Sequence, residues 1–310
     1  MRILITGASG LLGTNVLLTA LEAGHEVTAT SNTRSMRQPG VEWRKADLTS
    51  ATAAKALLTN TRPDWVIHCA GATDVDRCEE DPKWAIALNR DTASNVAEGA
   101  SKARAALVHV STDAVFDGSP GPHRESDEAR PINVYGASKL EGEQVVLEKH
   151  PGAAIVRTNF YGWSPPGRLS LAEWFLDKLR AGDPCDGFTD IRINPLLANQ
   201  LASVLLRILE VGLSGVYHVG SEDTVSKYDF GVSLAKAFAL DSSLIRPVGV
   251  DTGRLRAARP RNLSLESEKV ERALGLKLPT TQAGIEDLRA LEQEGYRDRV
   301  SDLLFEPAQS

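Results

Sequence analysis

Short runs of apolar and β-branched residues recur along the chain, separated by longer stretches with apolar residues at i, i+3 and i+4. The short runs predict β-strands, and the longer stretches, which are rich in Ala and Leu, predict helices. The predicted strands lie at 2–6, 26–30, 42–44, 65–70, 106–111, 153–158 and 215–219. The predicted helices lie at 12–23, 51–58, 91–103 and 139–150. Strands that alternate with helices predict βαβ units, and hence an α/β fold with a doubly wound parallel sheet.

Composition narrows the class of protein. Of the 310 residues, 42% are hydrophobic and 25% charged, which is ordinary globular usage, and the net charge of −6 lacks the basic excess that nucleic-acid binding needs. Cys69, Cys78 and Cys185 form no C-x-x-C pair, so we expect neither a disulfide framework nor a metal site. The apolar run at 1–7 is too short for a signal core or a membrane span. We therefore expect a cytoplasmic protein with no nucleic-acid or membrane partner.

Three glycines separate the first predicted strand from the first predicted helix. Gly7, Gly10 and Gly13 form the motif G-x-x-G-x-x-G. Glycines at this spacing allow a tight turn and close approach to a pyrophosphate, which would lie on the N–H groups at the start of the helix. Between an apolar strand and an apolar helix, the motif predicts a dinucleotide site in a Rossmann-type domain. The contacting residues are expected to be Gly7, Ser9, Gly10, Leu11, Leu12 and Gly13.

The alternation of strands and helices breaks after residue 160. The segment 161–167 is rich in Pro and Gly, and 183–195 is a second irregular stretch. We expect these insertions and the tail from about residue 245 to form a small C-terminal substrate-binding cap over the sheet edge. The predicted dinucleotide-binding domain is then 1–160 plus about 196–244, and the predicted cap is about 161–195 plus 245–310.

The end of the second predicted strand bears on the choice of cofactor. NAD enzymes usually carry Asp or Glu about 20 residues beyond the glycines, bonded to the ribose 2′-hydroxyl. This strand instead leads into Ser31, Asn32 and Arg34, with no acid among them. Small polar groups and a cation suit a 2′-phosphate, so NADP(H) is favoured and NAD(H) is the alternative. The other interpretation of Arg34 is a solvated loop cation.

Tyr135 and Lys139 form the pattern Y-x-x-x-K, which places both side chains on one face of a helix. Ser111 and Thr112 close an apolar strand before them. A free phenol has a pKa of about 10, and a neighbouring ammonium lowers that pKa because it favours the phenolate. The hydroxyl of Thr112 can bond the same carbonyl oxygen that Tyr135 protonates. By itself, the Y-x-x-x-K pattern is also typical of a surface helix. Together with the glycine motif and the Ser-Thr at the strand end, it indicates an enzyme that acts on a carbonyl group.

At these residues the chain resembles the extended short-chain dehydrogenase/reductase superfamily and, within it, the dTDP-4-dehydrorhamnose reductase family. The resembling segments are 69–76 with Glu79 and Pro82, 111–116, 131–143 and 259–262. They extend over most of the chain and are specific in combination. The resemblance implies reduction of a keto group on a nucleotide-activated deoxysugar, with Thr112, Tyr135 and Lys139 as catalytic residues.

The resemblance also implies binding residues. For the cofactor they are, besides the glycine motif and the Tyr135–Lys139 pair, Asp47, Leu48, Cys69, Ala70, Gly71, Asn159 and Phe160. For the substrate they are Thr73, Thr112, Asp113, Arg259 and Arg261. Asn89 matches the structural asparagine of the superfamily. Superfamily members commonly dimerise through the helices equivalent to 91–103 and 139–150, which suggests a homodimer by analogy.

Two departures from the family leave the sugar open. The family usually has Trp after Arg157-Thr158, where this chain has Asn159, and the family's Gly-x-Pro-Thr segment is replaced at 187–195. One alternative is an epimerase or 4,6-dehydratase that retains NAD, although Ala114 stands where dehydratases carry a second acid. The other alternative is a non-catalytic regulatory subunit, as in the related β subunit of methionine adenosyltransferase.

The remaining candidates for binding residues are a cluster of arginines and three histidines. Arg254, Arg256, Arg259 and Arg261 form a cluster that is either a solvated face or a clamp on the substrate diphosphate, since guanidinium suits bidentate phosphate contacts. His68, His109 and His218 lie inside apolar strands. We expect them to be neutral, packed imidazoles rather than metal ligands.

Overall fold

The computed structural model describes residues 1–32, 34, 36–167, 169–252 and 255–303. The strands are β1 (Arg2–Thr6), β2 (Glu26–Ser31), β3 (Val41–Lys45), β4 (Trp65–His68), β5 (Ala106–Val110), β6 (Ala154–Thr158), β7 (Phe160–Tyr161), β8 (Cys185–Phe188), β9 (Arg192–Ile193), β10 (Leu196–Leu197), β11 (Gly215–Val219), β12 (Val225–Ser226) and β13 (Ile245–Val248). The α-helices are α1 (Leu11–Glu22), α2 (Ala51–Thr61), α3 (Val75–Glu80), α4 (Pro82–Ile86), α5 (Thr92–Ala103), α6 (Val134–Lys149), α7 (Leu171–Arg180), α8 (Ala198–Val211), α9 (Lys227–Ala237), α10 (Glu268–Leu274), α11 (Thr281–Gln293) and α12 (Tyr296–Ser301). A π-helical turn (Ala87–Asp91) leads into α5, and 3₁₀ turns lie at Asp113–Val115, Ser242–Leu244 and Val250–Thr252.

Seven parallel strands form the central sheet, in the order β3-β2-β1-β4-β5-β6-β11. The chain begins in the middle, builds outward to β3, and then returns to build the other half from β4. Connections leave the carboxyl ends of β1 and β4 in opposite directions, which opens a crevice between those ends. The predicted α/β fold with a doubly wound parallel sheet is confirmed.

Both faces of the sheet are covered, which explains the nearly continuous apolar strands. Ile3 and Ile5 of β1 belong to a core with Val16 of α1 and residues of α8, whereas Leu4 belongs to a second core with Leu58 of α2. Successive side chains of a strand point to opposite faces, so a strand buried on both sides carries no polar alternation. The helices therefore position the carboxyl ends of the strands as a rigid rim.

Some element boundaries differ from those the sequence predicts. The helix predicted at 139–150 begins at Val134, because the side chain of Asn133 caps it by accepting a hydrogen bond from Gly136 N (2.8 Å). Tyr135 therefore lies in its first turn. The stretch 183–195, expected to be irregular, contains β8 and β9, which pair with β13 and β12. Five α-helices between residues 161 and 293 were not predicted at all: α7 to α11.

The tail from residue 245 reaches two parts of the molecule. β13 pairs in parallel with β8, which brings together two segments expected in the cap. Further on, Tyr296 donates a hydrogen bond to Asn15 Oδ1 (2.9 Å), and the indole of Trp163 donates to Leu288 O (3.1 Å). Helices α11 and α12 thus pack on the core beside α1. No described helix is long and apolar enough to cross a membrane.

Candidate active site

The glycine turn after β1 is shaped for close approach of a ligand. Gly7 adopts φ +67°, and a Cβ added to it would lie 2.6 Å from Ala70 N, at the end of β4. A Cβ added to Gly13 would lie 2.2 Å from Gly7 O, so α1 packs directly on the turn. Gly10 caps α1 without a side-chain hydrogen bond, which leaves first-turn N–H groups facing outward. This cradle fits a dinucleotide pyrophosphate. Of the other residues predicted to contact it, Ser9 and Leu11 are partly buried, whereas Leu12 belongs to the buried core.

The loop after β2 folds back over this cradle. Ser31 Oγ donates a hydrogen bond to the carbonyl oxygen of Arg34, and Arg34 Nη1 donates to Ser9 O (3.5 Å). Asn32 is exposed. The structure therefore brings the predicted cation Arg34 onto the glycine turn.

The loop after β3 follows the end of β2 closely, since Ala46 N donates to Ser31 O (3.2 Å), and it is fixed by its own polar groups. Asp47 Oδ1 accepts hydrogen bonds from Thr49 N (3.0 Å) and Thr49 Oγ1 (2.8 Å). Leu48 is buried, and its carbonyl accepts a hydrogen bond from Asn95 Nδ2 of α5 (2.9 Å). These contacts hold the two residues that the resemblance assigns to the adenine side.

Asn89 links the segment after β4 to the helix that carries Tyr135. Its Oδ1 accepts from Ala72 N (2.8 Å), and its Nδ2 donates to Ala72 O (3.2 Å) and Ser138 Oγ (2.9 Å). A Cβ added to Gly71 would lie 2.8 Å from Asn89 Oδ1, so a larger residue would break this contact. The predicted cofactor segment Cys69, Ala70 and Gly71 is thereby fixed beside α6.

Thr112, Tyr135 and Lys139 meet at the carboxyl end of β5. The first turn of α6 lies directly on the 3₁₀ turn after Thr112, since a Cβ added to Gly136 would be 2.2 Å from Ala114 O. Tyr135 packs against two small apolar clusters, one of which contains Ala114 and the other Ala72. The ammonium of Lys139 donates to Val110 O (2.7 Å), and burial lowers the pKa of Lys139 to about 8. The sequence pattern thus corresponds to one cluster in space.

Asp113 extends this cluster towards the cap. Thr112 Oγ1 donates to Asp113 Oδ1 (3.0 Å), and Asn159 Nδ2 donates to Asp113 Oδ2 (2.7 Å). Burial raises the pKa of Asp113 to about 6, although these hydrogen bonds and the charge of Lys227 oppose the rise. Asn159 precedes Phe160 at the start of β7. Two residues predicted for different ligands, Asp113 and Asn159, are therefore one hydrogen-bonded unit.

The basic cluster lies across the crevice, and its described arginines are paired with acids. Arg259 contacts Asp76 (3.0 Å), and Arg261 contacts Asp251 (2.6 Å) and Asp190 (3.4 Å). Arg256 pairs with Glu80, and Arg254 lies outside the described residues. Thr73 is exposed just before α3. The guanidinium groups thus tie the residues after β4 and the cap segments to one another.

Lys227 joins the site although no sequence pattern indicates it. It is the first residue of α9, where the side chain of Ser226 caps the helix by accepting from Asp229 N (2.9 Å). Burial lowers the pKa of Lys227, while the nearby charge of Asp113 opposes the shift and that of Arg259 adds to it. A cation at a helix N-terminus is disfavoured by the helix dipole, and this anomaly is the signal that could have revealed it.

The strand histidines lie in the core behind the site. His68 is buried, its Nδ1 is 2.6 Å from Thr6 Oγ1, and burial lowers its pKa to about 3. Burial also lowers the pKa of His109, and it lowers the pKa of His218 to about 3. All three side chains are packed in the core, where burial favours the neutral imidazole. Among the described residues, no group of His, Cys, Asp or Glu is arranged to hold a metal ion.

Known proteins are similar to this chain both in sequence and in fold. A protein-family model described as RmlD substrate binding domain matches residues 1–293. The chain is 37% identical over 299 residues to a probable low-salt glycan biosynthesis reductase, Agl14, of Haloferax volcanii, covering 94% of this chain and 97% of the relative. It is 34% identical over 286 residues to methionine adenosyltransferase 2 subunit beta of Xenopus tropicalis, covering 90% of this chain and 84% of the relative.

A solved dTDP-4-dehydrorhamnose reductase of Bacillus anthracis, in complex with NADP, superposes with a TM-score of 0.83. It is 26% identical, and the match covers 93% of this chain and 98% of that one. The family match, the sequence relatives and this neighbour agree with the resemblance that the motifs indicate. The chain therefore belongs to the RmlD substrate binding domain family, and with it to the NAD(P)-dependent reductases of the extended short-chain dehydrogenase/reductase type.

Proposed function

We propose that this protein reduces a keto group on a nucleotide-activated deoxysugar, using NADPH and a proton from Tyr135. One observation carries the proposal: Tyr135 and Lys139 lie on α6 beside Thr112, at the carboxyl end of β5. The glycine cradle follows β1 and the segment 69–72 follows the neighbouring strand β4, so both lie at the same edge of the sheet. A carbonyl placed between them would face both a proton donor and a bound nicotinamide.

The chain has the features that a dinucleotide requires. Gly7 and Gly13 stand where a side chain would collide with backbone, and first-turn N–H groups of α1 would receive the pyrophosphate. Arg34, over the glycine turn, would hold a 2′-phosphate, which favours NADP(H) over NAD(H). Lys139 would hold the nicotinamide ribose. When bound there, NADPH supplies the hydride for the carbonyl carbon.

The chain's own residues supply the proton and stabilise the phenolate that its transfer leaves behind. Tyr135 donates its phenolic proton to the carbonyl oxygen, and Thr112 donates a hydrogen bond to the same oxygen. The ammonium of Lys139, one helical turn from Tyr135, stabilises the phenolate that remains. Because burial lowers the pKa of Lys139 to about 8, its ammonium can then pass a proton to the phenolate near neutral pH and take up another from solvent, which restores the phenol.

The nature of the substrate rests on the relatives and on the charges at the crevice. The names of two relatives, a glycan biosynthesis reductase and a dTDP-4-dehydrorhamnose reductase, refer to the chemistry of activated sugars. Arg259 and Arg261, at the cap side of the crevice, are candidates to contact the diphosphate. Asp113, bonded to Thr112 and Asn159, is placed to bond a sugar hydroxyl.

The experiment is NADPH oxidation, followed by absorbance, against a panel of 4-keto-6-deoxy nucleotide sugars. With the best substrate, Tyr135→Phe should lower kcat by about 10²- to 10⁴-fold, the usual contribution of a general acid, and leave the Kd for NADPH nearly unchanged. Tyr217→Phe, on the outer strand β11, is the matched control and should keep wild-type turnover. A Tyr135→Phe protein as active as the wild type would refute the assignment of the proton donor.

A second candidate function is a non-catalytic, cofactor-binding role. It is favoured by the 34% identity to a methionine adenosyltransferase subunit beta. The same panel separates the two functions, because a regulatory protein would bind NADPH and yet reduce none of the keto sugars. A wild type that is inert with every member would support the regulatory role.

A further inference from the structure

The charges on the cap side of the crevice divide into paired and unpaired groups. Arg256, Arg259 and Arg261 each have a carboxylate partner. The backbone N–H of Lys227 donates to Ile191 O (3.0 Å), but its side chain makes no hydrogen bond and no salt bridge to any residue that the structure describes. The arginines expected to clamp a diphosphate thus have their charge compensated within the protein, whereas Lys227 does not.

The setting of Lys227 makes this lack of a partner unfavourable for the free protein. The side chain is partly buried, and burial lowers its pKa. It occupies the first position of α9, a helix of 11 residues whose dipole favours an anion there, not a cation. A buried charge is ordinarily compensated by a partner, so a cation kept in this position is expected to serve a ligand.

The groups that face Lys227 indicate which ligand. Asp113 is close enough to stabilise the ammonium, but its two carboxylate oxygens already accept hydrogen bonds from Thr112 and Asn159. Arg259, the other neighbour, is a second cation and is held at 3.0 Å by Asp76. The backbone places Lys227 here as well, because Ile191, which accepts the hydrogen bond from Lys227 N, packs in one apolar cluster with Ala114 and Leu263. Lys227 therefore lies near the residues expected at the sugar and near an arginine expected at the diphosphate. Two cations next to each other suit a group with more than one negative charge.

We propose that Lys227 is a substrate-binding residue whose ammonium contacts the diphosphate of the nucleotide sugar, with Arg259 as its neighbour. The inference rests on the proposed function for the identity of the ligand. The incoming diphosphate would give the ammonium of Lys227 the bonded partner that its side chain lacks among the described residues, whereas it must compete with Asp76 for Arg259. Lys227 is thus expected to contribute more to the binding of the diphosphate than Arg259 does.

The test measures binding without turnover, so that it does not depend on finding the sugar. dTDP and UDP are titrated calorimetrically into the protein saturated with NADP⁺, for the wild type, Lys227→Met, Lys227→Arg and Lys236→Met. Lys236 lies exposed on the same helix and is the matched control. Lys227→Met should raise the Kd of the better nucleotide by about tenfold or more, since a charge-assisted hydrogen bond is lost. Lys227→Arg should recover most of this loss, and Lys236→Met should match the wild type.

Two outcomes would overturn the inference. Binding of dTDP and UDP as tight in Lys227→Met as in the wild type, or no binding of either nucleotide by the wild type, would show that no diphosphate contacts Lys227. Failure of the proposed reductase activity has a different signature: nucleotide affinity would still depend on Lys227 while no keto sugar is reduced. An unchanged Kd for NADP⁺ in Lys227→Met, measured by a separate titration of the cofactor-free protein, excludes general misfolding as the cause of the loss.

Discussion

Two groups of buried charges lie at the carboxyl end of the sheet, and they are satisfied in opposite ways. In the first, Arg157 Nη2 contacts Glu143 Oε2 at 2.7 Å, Ser111 donates to Glu143, and Arg157 also reaches His218. In the second, the carboxylate of Asp113 and the ammonium of Lys227 lie near each other without a salt bridge, and the ammonium of Lys139 donates to a backbone carbonyl. We call the first group closed, because its charged side chains bond to one another. We call the second group open, because its charged side chains have no such bonds and lie at the crevice.

Helix α6 separates the two groups. Lys139 and Glu143 are one turn apart on it, yet Lys139 faces the site and Glu143 is bonded to Arg157 of β6. The open group carries the groups whose pKa values are shifted by burial, Asp113 upward and Lys139 and Lys227 downward. Unsatisfied buried charge lowers stability, so we attribute its presence in the second group to ligand binding and proton transfer.

The largest expected effect comes from breaking the closed group. Glu143→Gln removes one partner of a buried ion pair and leaves the guanidinium of Arg157 uncompensated, which should reduce the free energy of unfolding by about 3–5 kcal/mol. Urea unfolding measures it. Glu148→Gln, on an exposed position of the same helix, should stay within about 0.5 kcal/mol of the wild type. Equal midpoints for the two variants would mean that the closed group adds nothing to stability.

The second prediction concerns Asp113 in the open group. Its pKa, about 6 in the folded protein against 3.8 as the ordinary value, means that the folded state prefers the protonated carboxyl. The stabilisation from proton binding is complete below pH 4 and is lost as pH rises through 6. Asp113→Asn, which is never ionised, should therefore be more stable than the wild type by about 1–3 kcal/mol at pH 7, since each pKa unit is worth about 1.4 kcal/mol.

This advantage should disappear at pH 4, because Asp113 is then protonated in the wild type. Urea unfolding at the two pH values measures the difference. Reductase turnover of Asp113→Asn should fall even though its stability rises. A variant less stable than the wild type at pH 7 would show that the hydrogen bonds from Thr112 and Asn159 outweigh the burial of the charge.

A smaller effect is expected from titrating Lys139. With a pKa of about 8, this ammonium loses its charge as pH rises from 8 to 10. The affinity for NADPH should fall over that range by about tenfold, equivalent to about 1.4 kcal/mol, because an ammonium that holds the ribose is lost. In Lys139→Met the affinity should be weaker at pH 7 and independent of pH. A wild type whose Kd for NADPH is flat from pH 7 to 10 would contradict this assignment.

The smallest effect concerns the choice between the two dinucleotides. Arg34→Ala should raise the Kd for NADPH by about fivefold, the loss expected for one partly exposed contact, and leave the Kd for NADH unchanged. Fluorescence titration gives both values. Arg37→Ala, an exposed arginine of the same loop, should change neither. Tighter binding of NADH than of NADPH by the wild type would remove the basis for assigning a 2′-phosphate to Arg34.

The sequence predicted the sheet and the core of the site because their signals are local. A strand, a glycine turn and a helix follow one another within residues 2–22, and Tyr135 and Lys139 are one helical turn apart. Asn159 was also found, although its bond to Asp113 was not. These residues lie at the carboxyl ends of neighbouring parallel strands, so the fold class alone brings them together.

The cap side could not be predicted to the same depth, because its contacts join distant segments. Lys227 follows Ser226 in an ordinary capped helix, and nothing near it in the sequence shows that Asp113 faces it. The arginines were found from their clustering, but their partners Asp76 and Asp190 come from other parts of the chain. A sequence shows which residues are charged, but only the folded structure shows which of them lie close enough to neutralise one another.

The contact between Tyr296 and Asn15 has a consequence for how the protein is made. The two residues are 281 positions apart, yet their hydrogen bond joins α12 to the helix that begins the dinucleotide site. Ribosomes add about 5–20 residues per second, so roughly 15–60 s pass between the synthesis of the two. During that time the core that α1 shares with α11 and α12 is incomplete. The nascent chain should therefore depend on chaperones until its last helices leave the ribosome.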